Sequence, residues 1–181
     1  METILISGLG DLPVLVASKL VSTKASFAVY SLKGFENAAL NVYNPKILEF
    51  EKLGSFINGL KSLGAKRICL AGSIKRPVLE ISSVDRDTLP LIPLLTEALK
   101  SGDDKALRLV ISLFEAAGLK IVGPHEICPE LLIQEGLYSD IGPNREDYYD
   151  IERAKEVLTK VSSADIGQSC IISCGQVLCV E

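Results

Sequence analysis

The chain has 181 residues, of which 48% are apolar, and a formal net charge of -4, so it can bury a proper core without disulfide or metal staples. Its pI near 5.2 gives no general attraction to nucleic acid and excludes a partner of that kind. No apolar run reaches the roughly 18 residues of a membrane-spanning helix, and the first residues do not form a signal peptide, so we expect a cytoplasmic protein.

The first predicted elements are a strand at residues 4–6, a turn that contains glycines, and a helix over residues 13–20. Phosphate-binding loops have this construction, because glycine lets backbone N–H groups approach an anion and the helix directs its positive end toward it. The turn therefore supplies candidate ligand contacts at Gly8, Gly10, Asp11 and Leu12.

A dinucleotide-binding fingerprint explains this turn less well. Pro13 occupies the position of the third glycine, and Lys33 follows the second strand where a ribose-binding carboxylate is expected. An NAD-dependent oxidoreductase is therefore disfavoured relative to a protein that binds a phosphate or another anion. A plain strand-to-helix turn with Asp11 as the helix N-cap explains the same residues, and the sequence leaves both interpretations open.

Further strands are predicted over residues 26–30, 46–50 and 65–71, with a helix over residues 53–63. The last of these strands ends in a second glycine turn that contains Gly72, Ser73, Lys75 and Arg76. Turns that follow parallel strands meet at one edge of the sheet, so this turn, the first turn and Lys33 are expected to converge on one anion. A solvated surface pair is the alternative for Lys75 and Arg76.

The next predicted elements are a helix that reaches residue 100, a second helix that begins at Asp103 and Asp104, and a strand over residues 119–123. The two carboxylates either cap their helix or bind Mg²⁺, which takes carboxylate and phosphate oxygens. His125 follows the strand. It is a candidate acid, base or ligand, or else a helix cap.

The five cysteines form no CxxC pair, and His125 is the only histidine. A structural zinc site therefore has little support, and free thiols in a reducing compartment are expected.

A polar stretch over residues 134–147 predicts a domain boundary, with one domain at residues 1–133 and a second at residues 134–181. The second is expected to hold a helix over residues 150–160 and a β-hairpin over residues 167–181 that turns at Cys174 and Gly175. The predicted fold is α/β: a Rossmann-like, mostly parallel sheet flanked by helices, then a helix and hairpin that open an incomplete domain. The unpaired hairpin edge predicts self-association into a homo-oligomer.

Taken in order, several short motifs resemble the UDP-2,3-diacylglucosamine pyrophosphatases of the DUF1009 type, hydrolases of lipid A biosynthesis. The motifs lie at residues 8–13, 32–35, 71–77, 102–104, 114–115, 123–126 and 165–168, and Arg108 belongs with them. Members of this family continue past the position of Glu181, so the chain is expected to be C-terminally truncated. It is then the N-terminal ligand-binding part of such an enzyme. The resemblance places the catalytic acidic residue of the family in the missing part, so this chain alone is not expected to turn over substrate.

This resemblance implies Mg²⁺-dependent hydrolysis of UDP-2,3-diacylglucosamine to UMP and lipid X, and contact with the inner membrane. It assigns no catalytic residue to this chain. A non-catalytic module that binds a nucleotide sugar or an acylated sugar is the alternative. The implied ligand contacts are Gly8, Gly10, Asp11, Leu12, Gly72 and Ser73, together with Lys33, Arg76 and His125, and Asp103 is the implied metal ligand.

Overall fold

The computed structural model describes residues 2–75, 77–101, 103–164 and 166–181, with the backbone alone at residues 101, 103 and 104. The chain divides into two compact units, Met1–Ile133 and Gln134–Glu181. The first unit contains a parallel sheet with helices, and the second contains a helix and a hairpin.

The described part of the first unit is organised around a five-stranded parallel sheet. Its strands are β1 (Thr3–Ser7), β2 (Phe27–Leu32), β3 (Lys46–Leu48), β4 (Arg67–Ala71) and β5 (Lys120–Val122), in the order β3-β2-β1-β4-β5. The central strand β1 pairs with both β2 and β4, and Ser7 is level with Ser31 and Ala71. The turns after these three strands therefore leave the sheet at one edge.

Helices cover both faces of this sheet, which confirms the predicted α/β class. The helices are α1 (Leu12–Ser22), α2 (Leu53–Ser62), α3 (Ile92–Ser101), α4 (Asp103–Ala116) and α5 (Pro124–Ile127). Successive strand residues point to opposite faces. Ile4 packs with the cluster that includes α2, α3 and α4, and Leu5 with the cluster that includes α1.

The structure corrects two predicted strand boundaries. β2 continues to Leu32, because Leu32 is level with Leu48 and the Lys33 amide donates to the Leu48 carbonyl at 2.8 Å. β3 ends at Leu48, because the next residues form a 3₁₀ turn over Phe50–Lys52. The predicted helix that reaches residue 100 likewise begins with a 3₁₀ turn over Leu89–Leu91 before α3.

The second unit contains α6 (Arg145–Ser163) and a hairpin of β6 (Cys170–Ser173) and β7 (Gln176–Val180). The helix begins five residues before the predicted start, because Asn144 caps it: its side-chain oxygen accepts from the amides of Glu146 and Asp147 at 2.7 and 3.1 Å. The predicted hairpin is confirmed. Its turn residues have φ of +49° at Cys174 and +76° at Gly175.

The Asp150 carboxylate of α6 fixes this hairpin turn. It accepts from the amides of Cys174 and Gly175 at 2.9 and 2.7 Å. Among the described helices of the chain, none combines the length and hydropathy needed to cross a bilayer.

Candidate functional site

The turns after β1 and β4 are joined to each other by backbone hydrogen bonds. The Leu9 amide donates to the Ser73 carbonyl and the Ser73 amide donates to the Leu9 carbonyl, both at 2.9 Å. The Gly8 amide donates to the Ala71 carbonyl at 2.8 Å. The structure therefore brings together Gly8, Gly10, Asp11 and Leu12 on one turn with Gly72 and Ser73 on the other, as the sequence predicted.

Two of these glycines are required by the close approach of the two turns. A Cβ atom at Gly8 would overlap the Ser73 carbonyl. A Cβ atom at Gly72 would lie 2.7 Å from the Leu9 carbonyl oxygen, and its φ of +97° already disfavours any other residue. The sequence at these positions therefore allows the turns to touch.

The start of α1 presents backbone donors that no described residue uses. The amides of Gly10, Asp11 and Leu12 make no hydrogen bond within the described part of the chain. The Asp11 side chain does not cap the helix, so the plain-turn interpretation of this residue lacks its hydrogen bond. Unpaired amides at a helix N-terminus attract anions, because the helix dipole and the N–H groups act together.

Asn37 links the turn after β1 to the segment after β2. Its side-chain N–H donates to the Gly10 carbonyl at 2.7 Å, while its side-chain oxygen accepts from the Ala39 amide at 3.1 Å and caps a 3₁₀ turn over Ala38–Tyr43. This side chain therefore holds Gly10 in place from a neighbouring segment. The sequence analysis did not identify it.

The two lysines near this edge have different electrostatic environments. Lys33 donates to Glu49 at 3.0 Å, and this hydrogen bond and the carboxylate charge raise the pKa of Lys33 above its usual value. Lys33 lines a polar cavity of about 300 Å³ together with Glu49, Glu51 and Glu80. Lys75 is exposed and makes no ion pair among the described residues, so it is the better-placed cation for an anion at the glycine turns.

His125 lies at the start of α5, beyond the end of β5, and its ring packs beside the Gly123 backbone. It lines neither this polar cavity nor the apolar cavity described below. Arg76 and the side chain of Asp103 lie outside the described residues. Among the described residues, neither Lys33 nor His125 makes a hydrogen bond or an ion pair with the glycine turns.

The buried thiols of the first unit are poor nucleophiles. Burial raises the pKa of Cys69 to about 12, with smaller contributions from Cys128 and Glu126. Burial also raises the pKa of Cys128. A thiol reacts through its thiolate, so these two cysteines belong to the core. The five cysteines are free, as expected.

An apolar cavity of about 360 Å³ opens beside the glycine turns, between the sheet and the helices α3 and α4. Ser7, Gly8 and Gly72 line it at the turns, and apolar side chains from the sheet and from both helices form most of its wall. Its volume lies within the range of about 300–1,000 Å³ that ligand pockets occupy. Of these two helices the sequence analysis assigned only Asp103, at the start of α4, to the site, and it did not predict the cavity, although Ala98 and Ala106, which line it, are small residues among large apolar ones.

Two family models match this chain in succession. One, described as the LpxI N-terminal domain, matches residues 2–131, and one described as the LpxI C-terminal domain matches residues 134–181. A curated relative from Caulobacter vibrioides, the UDP-2,3-diacylglucosamine pyrophosphatase LpxI, is 33% identical over 177 residues. This match covers 98% of the present chain and 63% of the relative, so the chain spans less than two thirds of that protein's length.

Proposed function

The chain belongs to the LpxI family, and from that premise we propose that it binds UDP-2,3-diacylglucosamine and takes part in its hydrolysis to UMP and lipid X. The observation that carries this proposal is the pair of joined glycine turns, with the amides of Gly10, Asp11 and Leu12 at the start of α1 that no described residue uses. A diphosphate needs such fixed donors, both for binding and for the charge that develops as its bond breaks.

The residues of this chain are assigned to binding and orientation. The amides of Gly10 and Leu12 donate to phosphate oxygens, and the exposed Lys75 adds a positive charge beside the second turn. Asn37 and the hydrogen bonds between Leu9 and Ser73 keep these donors in place. Fixed donors of this kind stabilise a developing charge without having to reorganise.

Magnesium, which the family resemblance implies, remains a separate proposal. The described residues contain no group of three or more histidine, cysteine or acidic side chains that would hold a metal ion. Asp11 is the carboxylate on the first glycine turn, and a single exposed carboxylate does not make a Mg²⁺ site by itself. No step of the proposed reaction is therefore assigned to a metal held by these residues.

A binding module without turnover is the second candidate. It is favoured by the placement of His125, the one histidine of the chain, which lines neither described cavity. In this case the chain binds the nucleotide or the acylated sugar phosphate and releases no UMP.

The test combines UDP titration by calorimetry with an assay for UMP release from UDP-2,3-diacylglucosamine, with and without Mg²⁺. The proposal expects UDP to bind, and Lys75→Ala to weaken binding by roughly threefold to tenfold. Lys61→Ala, which removes an exposed lysine from the last turn of α2, is the matched control and should bind as the parent does.

UMP release would support the hydrolase, and its dependence on Mg²⁺ would support the metal proposal. Binding without release would support the second candidate. If neither UDP nor the diacylated substrate bound to the chain, both functions would be wrong.

A further inference from the structure

The residues that line the cavity beside the glycine turns range from half-exposed to fully buried. Ile74 and Leu107 line it and are 52% and 48% exposed. Leu53, Leu95 and Phe114 also line it and are 2%, 2% and 0% exposed. The cavity therefore has an open mouth and an inner end within the core.

The wall of this cavity offers no group that would bind a polar or charged ligand deep inside. No charged side chain lines it within the described part of the chain. The one hydroxyl, on Ser7, already has partners: it lies 3.0 Å from the Ser31 hydroxyl and 3.4 Å from the Tyr30 carbonyl oxygen. Its occupant must therefore be apolar along its length.

A space of this size is unusual in a protein core. Protein interiors are close-packed, and voids larger than a water molecule are few because each costs stability. An open-mouthed apolar cavity is better explained by a ligand that fills it than by packing.

Ser7, Gly8 and Gly72 connect this apolar space to the phosphate-binding turns. A ligand with its phosphates on the turns thus has a path for an attached hydrocarbon chain into the core. We propose that the cavity holds one fatty acyl chain of the ligand bound at the glycine turns, and that Phe114 is the end wall that limits its length. This inference rests on the proposed function for the polar part of the ligand.

Phe114 is well suited to be a fixed end wall. Its ring is fully buried and meets the Phe56 ring edge-on, with the centroids 6.3 Å apart. Phe56 in turn meets Tyr30 of β2 at 4.9 Å. Three aromatic rings in contact resist displacement by an incoming acyl chain. We therefore expect the length of the acyl chain, and not a movement of Phe114, to determine which ligands the cavity accepts.

The experiment measures the affinity of the full chain for diacylated glucosamine 1-phosphates whose acyl chains differ in length, with UDP as the acyl-free probe. Each methylene that enters the cavity should raise the affinity by about fourfold, until the chain reaches Phe114 and the gain stops. Phe114→Leu should move this limit to longer chains and leave UDP binding unchanged.

Ala106→Phe fills the cavity from α4 and should weaken binding of the acylated ligands by at least about tenfold, with UDP binding unchanged. Ala116→Phe, at an exposed position of the same helix, is the matched control and should bind both probes as the parent does. Ala98→Leu fills the cavity from α3 and replaces Ala106→Phe if that variant does not fold.

Each result distinguishes the cavity from the glycine turns. The inference would be overturned if Phe114→Leu kept the parent's dependence on chain length and if Ala106→Phe and Ala98→Leu bound the acylated ligands as the parent does. The UDP site at the glycine turns would be unaffected by that result. If acyl binding depends on chain length and is lost in Ala106→Phe and Ala98→Leu, but UDP does not bind, the result would support the cavity and contradict the proposed function.

Discussion

Gly72 and Gly10 have similar backbone conformations, with φ of +97° and +96°, but different surroundings. A Cβ atom at Gly72 would meet the backbone of Gly8 and Leu9, whereas one at Gly10 would meet nothing within 4 Å. Gly72→Ala should therefore lower the free energy of unfolding by at least about 2 kcal/mol, and Gly10→Ala by about 1 kcal/mol from backbone strain alone. Urea denaturation measures both, and equal losses would mean that the two turns do not touch.

Asn37 has two functions that one substitution separates. Asn37→Ser keeps a good N-cap for the 3₁₀ turn but is too short to reach the Gly10 carbonyl. We expect the free energy of unfolding of this variant to lie within about 0.5 kcal/mol of the parent's, because the cap is kept. We expect it to bind UDP several-fold more weakly. Asn37→Ala loses the cap as well, so it should be less stable by about 1 kcal/mol. Parent-like UDP binding in both variants would show that the amides at α1 do not depend on Asn37.

At the scale of elements, Asp85 connects α2 to the segment before α3. Its carboxylate accepts hydrogen bonds from the Ser55 hydroxyl and, at 2.7 Å, from the Thr88 amide. Burial raises the pKa of Asp85, but these hydrogen bonds outweigh burial and leave the pKa below its usual value. The stabilisation from Asp85 is therefore present above the ordinary aspartate pKa of about 3.9 and is lost as the pH falls through the lower folded-state pKa.

Asp85→Asn should accordingly lower the free energy of unfolding at pH 7 by about 1–2 kcal/mol, and the difference from the parent should shrink in acid. Chemical denaturation at a series of pH values measures this change. Asp87→Asn is the control, since among the described residues the Asp87 carboxylate accepts one hydrogen bond, from the exposed Asn58 side chain, and the variant should show a smaller difference. A difference between Asp85→Asn and the parent that does not change with pH would contradict the assignment.

Most elements were predictable because their apolar period or their glycines are local signals. β1 and β4 are short apolar runs before glycine turns, and α2 shows apolar residues at helical spacing before Gly64. The boundaries were less accurate, since β2 continues to Leu32 only because β3 is there to pair with it. The start of α6 depends on the side chain of Asn144, and a helix predicted from apolar spacing alone begins too late.

The same division applies to the candidate site. The meeting of the turns at Gly8 and Gly72 was predictable, because parallel strands end at one edge. The ion pair between Lys33 and Glu49 was not, since it joins residues from two different strand ends. The cavity was not predictable either, because it arises where α3 and α4 fail to fill the space above the sheet.

At the scale of the whole molecule, the hairpin is the best candidate for contact with another chain. Within the described residues β6 and β7 pair only with each other, and Ile171 and Leu178 are 59% and 61% exposed. An unpaired strand with exposed apolar side chains pairs readily with another strand. We therefore expect the chain to self-associate as its concentration rises, which sedimentation velocity measures.

Ile171→Lys should reduce this association, because an edge lysine opposes strand pairing. Ile166→Lys places the same charge at an exposed position outside both strands and serves as the control. A chain that remains monomeric at all concentrations, or equal association in the two variants, would exclude the hairpin as the contact.

The hydrogen bonds between Leu9 and Ser73 make the two glycine turns a single preorganised body. Their amides should therefore exchange with deuterium slowly and at matching rates, while the neighbouring Gly10 amide, which has no partner in the described chain, exchanges fast. Because the turns are already aligned, an arriving phosphate does not have to order them, and more of its interaction energy is retained as affinity.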